Sequence, residues 1–164
     1  MKLNKKGFSL TELLVVVIII AGFAALTYPS YVVAIERSRV SEAVHMLATI
    51  QAAQQKHFMS YEEYGYKFRD INDFTPAAEG FSPDTDNFFT EYYKYQLDKD
   101  GSKTPKVTAI RVDKNHTELN KGYNLQALYK ENFVRCVFST QDGEKICASL
   151  TDKDSVDNNY YPIY

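Results

Sequence analysis

The chain has 164 residues, 45% of them hydrophobic, yet its mean hydropathy is −0.37, so the apolar residues are unevenly spread. That length holds one domain and an appendage. The net charge of −2 is also split: Lys2, Lys5 and Lys6 precede a remainder with 16 basic and 21 acidic residues, a balance that gives no basic face for nucleic acid.

The apolar residues concentrate near the start. From Leu13 to Ile35 no charged side chain occurs. Roughly 20 such residues, at about 1.5 Å each, cross a hydrocarbon core about 30 Å thick. The lysines ahead of the run hold the N-terminus in the cytoplasm and send the C-terminus outward. A secretory signal peptide has a shorter apolar stretch and a small-residue cleavage site, and Thr27-Tyr28-Pro29-Ser30-Tyr31 is a poor one. A plain single-span anchor fits the length but leaves Glu12 unexplained. Glu12 stands at the start of the run, where a carboxylate is either functional or reaches back to water. Gly22 and Pro29 interrupt the helical run, since Pro lacks a backbone donor and disfavours helix at Tyr28.

Gly7-Phe8-Ser9-Leu10-Thr11-Glu12, between a short lysine-bearing leader and an unbroken apolar run, resembles the prepilin processing signature. Type IV pilins share it with the pseudopilins of type II secretion and DNA-uptake machines. The resemblance covers residues 1–60 in detail and implies a leader over 1–7, a membrane and polymerisation helix over 8–30, and a pilin head over 31–164. It implies cleavage after Gly7 by a prepilin peptidase, which also N-methylates Phe8, and an inner-membrane assembly platform. Glu12 then meets the N-terminal amine of a neighbouring subunit, and Pro29 marks a stretch that loosens as subunits pack. The subunit is stored as a single-pass inner-membrane protein with a periplasmic head, and it polymerises with itself and with other pilins into an extracellular filament. The alternatives under the same resemblance are a pseudopilin and a minor tip pilin with a binding role.

After Pro29 the helix turns polar with Glu36, Arg37, Arg39 and Glu42. Val40, Val44, Leu47, Ile50 and Phe58 recur near helical spacing, and Ala43, Ala48, Ala52 and Ala53 favour helix. One helix is expected from Phe8 to Met59, its second half packed on the head. Residues 60–89 are irregular, aromatic and broken by Pro76, Gly80 and Pro83, so a loop with short helical turns is expected. Strand patterns follow at 92–97, 106–112, 123–129 and 134–138, with a turn over Gln141-Asp142-Gly143-Glu144. A meander of this kind buries one face on a helix, giving an α+β fold.

Cys136 and Cys147 lie in the exported part. In an oxidising compartment they pair, the alternative being two buried thiols. With the family named, the segment between them also resembles the C-terminal disulfide loop of pilins. No metal or cofactor is expected: Asp98, Asp100 and Gly101 fail the calcium-loop spacing, and His45, His57 and His116 are scattered. Asp152, Asp154, Asp157 and Asn158 form a solvated tail, or a calcium loop such as the major secretion pseudopilin carries. No nucleophile–base grouping or phosphate loop points to an enzyme.

Overall fold

A computed structural model describes residues 9–71, 74, 85–98, 104–131, 133–151 and 160–163. The chain divides into two compact units, Met1–Ile35 and Glu36–Tyr164. Helix α1 (Leu10–Tyr61) supplies the described part of the first and begins the second. A 3-10 turn at Phe68–Asp70 follows, then β1 (Asn87–Phe89), β2 (Tyr93–Leu97), β3 (Lys106–Arg111), β4 (Tyr123–Leu128), β5 (Val134–Phe138), α2 (Gln141–Ala148) and β6 (Tyr160–Pro162). The layout is α+β and pilin-like: a long N-terminal helix followed by an antiparallel sheet.

The sheet is a six-stranded meander, each strand beside its sequence neighbours. Alternation is strict in the central strands β2 and β3. In β2 the buried positions are Tyr93, Tyr95 and Leu97, and in β3 they are Val107, Ala109 and Arg111. Cross-strand register then aligns one buried row, Phe88 with Tyr95, Tyr95 with Ala109, Ala109 with Leu125, and Leu125 with Cys136. A slip of one residue in any strand would turn that strand's half of the row to water.

Against this face the second unit sets the α1 residues Val40, Ala43, Val44, Leu47 and Ile50, all in the same buried cluster. The stripe continues differently from the sequence expectation. Phe58 is exposed, while Gln51, Gln54 and His57 are buried. Positions 54 and 57 follow Leu47 and Ile50 by seven residues and keep the buried phase. Phe58 follows buried Gln51 by seven as well, so its exposure goes with its place three residues from the end of α1 rather than with phase. The ring of Phe58 instead stacks on Tyr64, centroids 4.7 Å apart. The buried glutamines hold backbone. The Gln54 amide donates to the Gly65 carbonyl at 2.8 Å and accepts from the Gly65 N–H at 2.9 Å. Gln51 Nε2 donates to the carbonyl of Leu128 at 2.7 Å and also to that of Glu131. Polar side chains here satisfy loop groups that would otherwise be buried without partners.

Two expectations need correction, and one strand is additional. Residues 87–89, assigned to the irregular stretch, form β1, because Phe88 fits the aromatic cluster with Phe68 and Tyr95 at centroid distances of 5.0 and 4.8 Å. Gln141–Glu144, expected as a turn, opens α2. Thr140 caps it by accepting from the Gly143 N–H at 3.1 Å, so the hydroxyl rather than Gly143 decides the local structure. Tyr160–Pro162, for which the sequence shows no strand pattern, is an edge strand on β5. The tail residues Asp152, Asp154, Asp157 and Asn158 lie outside the described residues, as do Asp100 and Gly101.

One buried charge organises the end of the sheet nearest Glu36. Glu36 is 5% exposed and accepts from Arg111 Nε at 2.5 Å and from the Tyr123 hydroxyl at 2.7 Å. Burial alone would raise its pKa, but the hydrogen bonds from Arg111 and Tyr123 and the charges of Arg111 and Arg39 outweigh it, so the pKa lies below the ordinary value of 4.5. A lowered folded pKa contributes stability that is complete above the unfolded value and is lost as pH falls through the folded one. Denaturant melts from about pH 6 down to about pH 3 are therefore expected to show a steeper acid loss for the native chain than for Glu36→Gln. Equal slopes would remove Glu36 from the acid response.

Candidate functional site

The residues singled out in the sequence fall into two groups, one in each unit. Gly7 and Phe8 lie outside the described residues. Glu12, Gly22 and Pro29 are on α1, and the cysteines are in the second unit.

At the start of α1, Ser9 is the capping residue. Its Oγ accepts from the Thr11 N–H at 3.3 Å and its carbonyl accepts from the Leu13 N–H at 3.2 Å. The Ser9 N–H in turn donates to Glu12 Oε2 at 3.4 Å. Ser-x-x-Glu is the capping-box pattern, which satisfies free amides of the first turn from both sides. The carboxylate also stands at the positive end of the helix dipole. This local role of Glu12 is legible in Ser9-Leu10-Thr11-Glu12, where a serine stands three residues before the carboxylate.

Beyond the cap, Leu10–Tyr28 is a 19-residue span of mean hydropathy 2.5, none of it buried. Its side chains point outward all round: Leu10 is 86% exposed and Phe23 66%. A helix apolar on every side needs lipid or other protein around it, since an uncovered apolar surface of this size is not stable in water.

Helix α1 is continuous through Gly22 and Pro29, so the expected interruption is not present in the single chain. Its causes are still visible. A Cβ added at Gly22 would meet nothing within 4 Å, so no contact within the chain requires glycine there. Pro29 offers no N–H to the carbonyl four residues before it. Thr27 Oγ1 donates to the Phe23 carbonyl at 3.0 Å, back-bonding of a kind that weakens the ladder nearby.

In the second unit Cys136 of β5 and Cys147 of α2 are joined by a disulfide, with Cα atoms 5.5 Å apart and neither residue exposed. The bond fixes α2 to the sheet. Two glycines do the same from the other end of α2. Gly122 has φ +71°, which favours glycine, and a Cβ there would collide with the Thr140 side chain. A Cβ on Gly143 would collide with the Gly122 carbonyl oxygen. Sequence reasoning missed this close approach, because neither glycine sits in a pattern that announces a partner about 20 residues away.

His45, His57 and His116 do not converge. Among the described residues no group of three or more His, Cys, Asp or Glu side chains is placed to hold a metal ion.

Comparison with family models matches residues 2–28 to the one described as the prokaryotic N-terminal methylation motif. Comparisons with curated proteins and with solved structures give no match.

Two outcomes are expected for the α2 region. Mass spectrometry of the unreduced chain should give a mass two hydrogens below the reduced one, and reduction should cost about 3 kcal/mol in the chain-entropy account. Gly143→Ala should lower the melting temperature, by an amount corresponding to about 1–3 kcal/mol, while Gly22→Ala leaves it unchanged or higher. A Gly143→Ala protein that melts with the native chain would contradict the close approach.

Proposed function

We propose that this chain, which carries over residues 2–28 the signature of type IV pilins and pseudopilins, is a structural subunit of a type IV pilus. The observation that carries the reading is the uncovered apolar span Leu10–Tyr28 with Glu12 in its first turn, inside the matched motif. The motif implies a prepilin peptidase that cuts after Gly7 and methylates the new amine of Phe8.

Stored in the inner membrane, the span is covered by lipid and the lysine leader faces the cytoplasm until it is cut. On assembly the spans of neighbouring copies replace lipid around one another. Moving Glu12 into that dry core is tolerable only if the carboxylate gains a charged partner there, and the Phe8 amine of an adjacent copy supplies one. The head unit then forms the filament surface, with the Cys136–Cys147 bond suiting it to an oxidising exterior. Pro29 marks the stretch of α1 that loosens as copies pack. The partners are further copies of the chain, other pilins and an inner-membrane assembly platform; the role is structural, with no catalytic step.

The motif is shared with pseudopilins, so a short periplasmic pseudopilus of a secretion or DNA-uptake machine is the second reading. Shearing cells separates the two, because a surface pilus is released and a pseudopilus is not.

Glu12→Leu tests the pairing. Processing should continue, since the cut is directed by the leader and Gly7, and the apolar replacement sits at least as well in lipid. The mature protein should accumulate in the membrane with few or no sheared filaments. Normal filament yield from Glu12→Leu alone would sink the charge-pairing account. Gly7→Leu should leave the leader attached and the protein in the membrane; a mature chain beginning at Phe8 from this variant would refute the processing assignment.

A further inference from the structure

The filament reading uses the span and its first turn, and leaves unexplained why a carboxylate is buried at the start of the second unit. Glu36 is held on both sides. Arg111 of β3 donates to it from Nε at 2.5 Å and from Nη2 at 3.4 Å. Tyr123 of β4 donates at 2.7 Å, and Tyr93 of β2, Arg111's direct cross-strand partner, lies 3.0 Å from the Tyr123 hydroxyl. Arg39 adds a half-exposed contact at 3.3 Å. One α1 side chain is thus tied, directly or through one hydroxyl, to three adjacent strands.

Stability does not account for this arrangement. Removing two charges from water costs several kcal/mol per ion, and apolar residues of similar volume often serve as well or better. The best-attested use of such buried polar groups is to select one packing among near-equal ones. The α1 stripe has near-equal alternatives. Val40, Ala43, Val44, Leu47 and Ile50 are similar in kind and spaced by three or four, so over this part of the stripe a slide of one turn, about 5.4 Å, keeps apolar side chains on the sheet face. Only the polar groups at its two ends, Glu36 at one and Gln51 and Gln54 at the other, mark the native height. Such a slide would put an unpaired Arg111 beneath an apolar side chain and leave Glu36 facing hydrocarbon.

We infer that Glu36 and Arg111, with Tyr93 and Tyr123, are positioning residues that fix the axial register of the second half of α1 on the sheet. The inference rests on the filament reading, in which copies associate through α1 and meet through surfaces carried on the sheet. All copies must then hold those surfaces at the same height along the helix, and a copy displaced by one turn cannot make its neighbours' contacts. The far end of the stripe is secured differently, by glutamines that bond the backbone of loops.

The test is an apolar replacement of the whole network, Glu36→Met, Arg111→Met, Tyr93→Phe and Tyr123→Phe, in the full chain. The Tyr92 carbonyl, which loses Arg111 as a donor, keeps the Val112 N–H at 3.0 Å. The replaced protein is expected to melt at or above the native temperature, to be processed normally, and to give no filaments or filaments of irregular symmetry by electron microscopy. Filaments of native symmetry and yield would overturn the inference and leave the filament reading intact, whereas absence of filaments from the native chain would defeat that reading itself. Should the four-fold variant fail to fold, Glu36→Gln decides. It keeps the volume and one acceptor oxygen, so irregular or lost filaments from a folded Glu36→Gln protein support the register role and native filaments refute it.

Discussion

A 19-residue helix that is apolar on every side cannot be left in water, and the rest of the molecule is arranged around that constraint. Helix α1 changes character along its length. Up to Tyr28 its side chains, Glu12 aside, are mainly apolar and uncovered within the chain, and from Val40 onward one stripe lies in the protein core while the opposite face stays polar. The change of pattern falls between Pro29 and Glu36, where the division into two compact units also falls. The second unit answers a different requirement. It must bury one stripe of a helix with a single sheet, and a meander does this with every strand beside its neighbour in sequence, even where α2 lies between β5 and β6.

Where the sheet meets the start of the packed stripe the chain uses charge, and elsewhere it uses aromatic mass and covalent closure. Phe68, Phe74, Phe88 and Tyr95 gather with ring centroids 4.8 to 5.9 Å apart, which draws the segment after α1 onto the sheet. Phe68, Phe74, Phe88, Tyr93, Tyr95, Tyr123 and Tyr129 are buried in the core, while Phe23, Tyr28, Tyr31, Phe58 and Tyr61 are exposed. The disulfide and the Gly122–Gly143 approach close α2 against β4 and β5. These devices tolerate no sliding, which is consistent with a role in which identical surfaces must repeat along a polymer.

Much of this was legible in the sequence because the signals were long or redundant. The span contains a 23-residue run without charge, the strands at 93–97 and 106–111 alternate cleanly, and those at 123–128 and 134–138 alternate over their first positions. The elements that were misread are short or are decided at a distance. Strands β1 and β6 have three residues each, too few to show a period, and they exist because a neighbouring edge is available. The first turn of α2 contains Asp-Gly, a turn signal, but Thr140 and the disulfide override it. Phe58 fits the apolar pattern, yet near the end of α1 the buried places belong to Gln54 and His57, which no apolar pattern reveals. The Glu36–Arg111 pair joins residues 75 apart and has no local signature.

The proposed function depends on one covalent event, removal of a leader at the junction before Phe8, inside the matched methylation motif. The direct measurement is mass spectrometry of the N-terminal peptide of protein recovered from membranes of cells that express the full chain. The account predicts a chain whose first residue is Phe8, its amine heavier by one methyl substitution, with Glu12 unmodified in the same peptide. A chain that retains Lys2, Lys5 and Lys6 in the presence of an active prepilin peptidase, or that begins beyond Thr27 as a secretory cleavage would leave it, would contradict it.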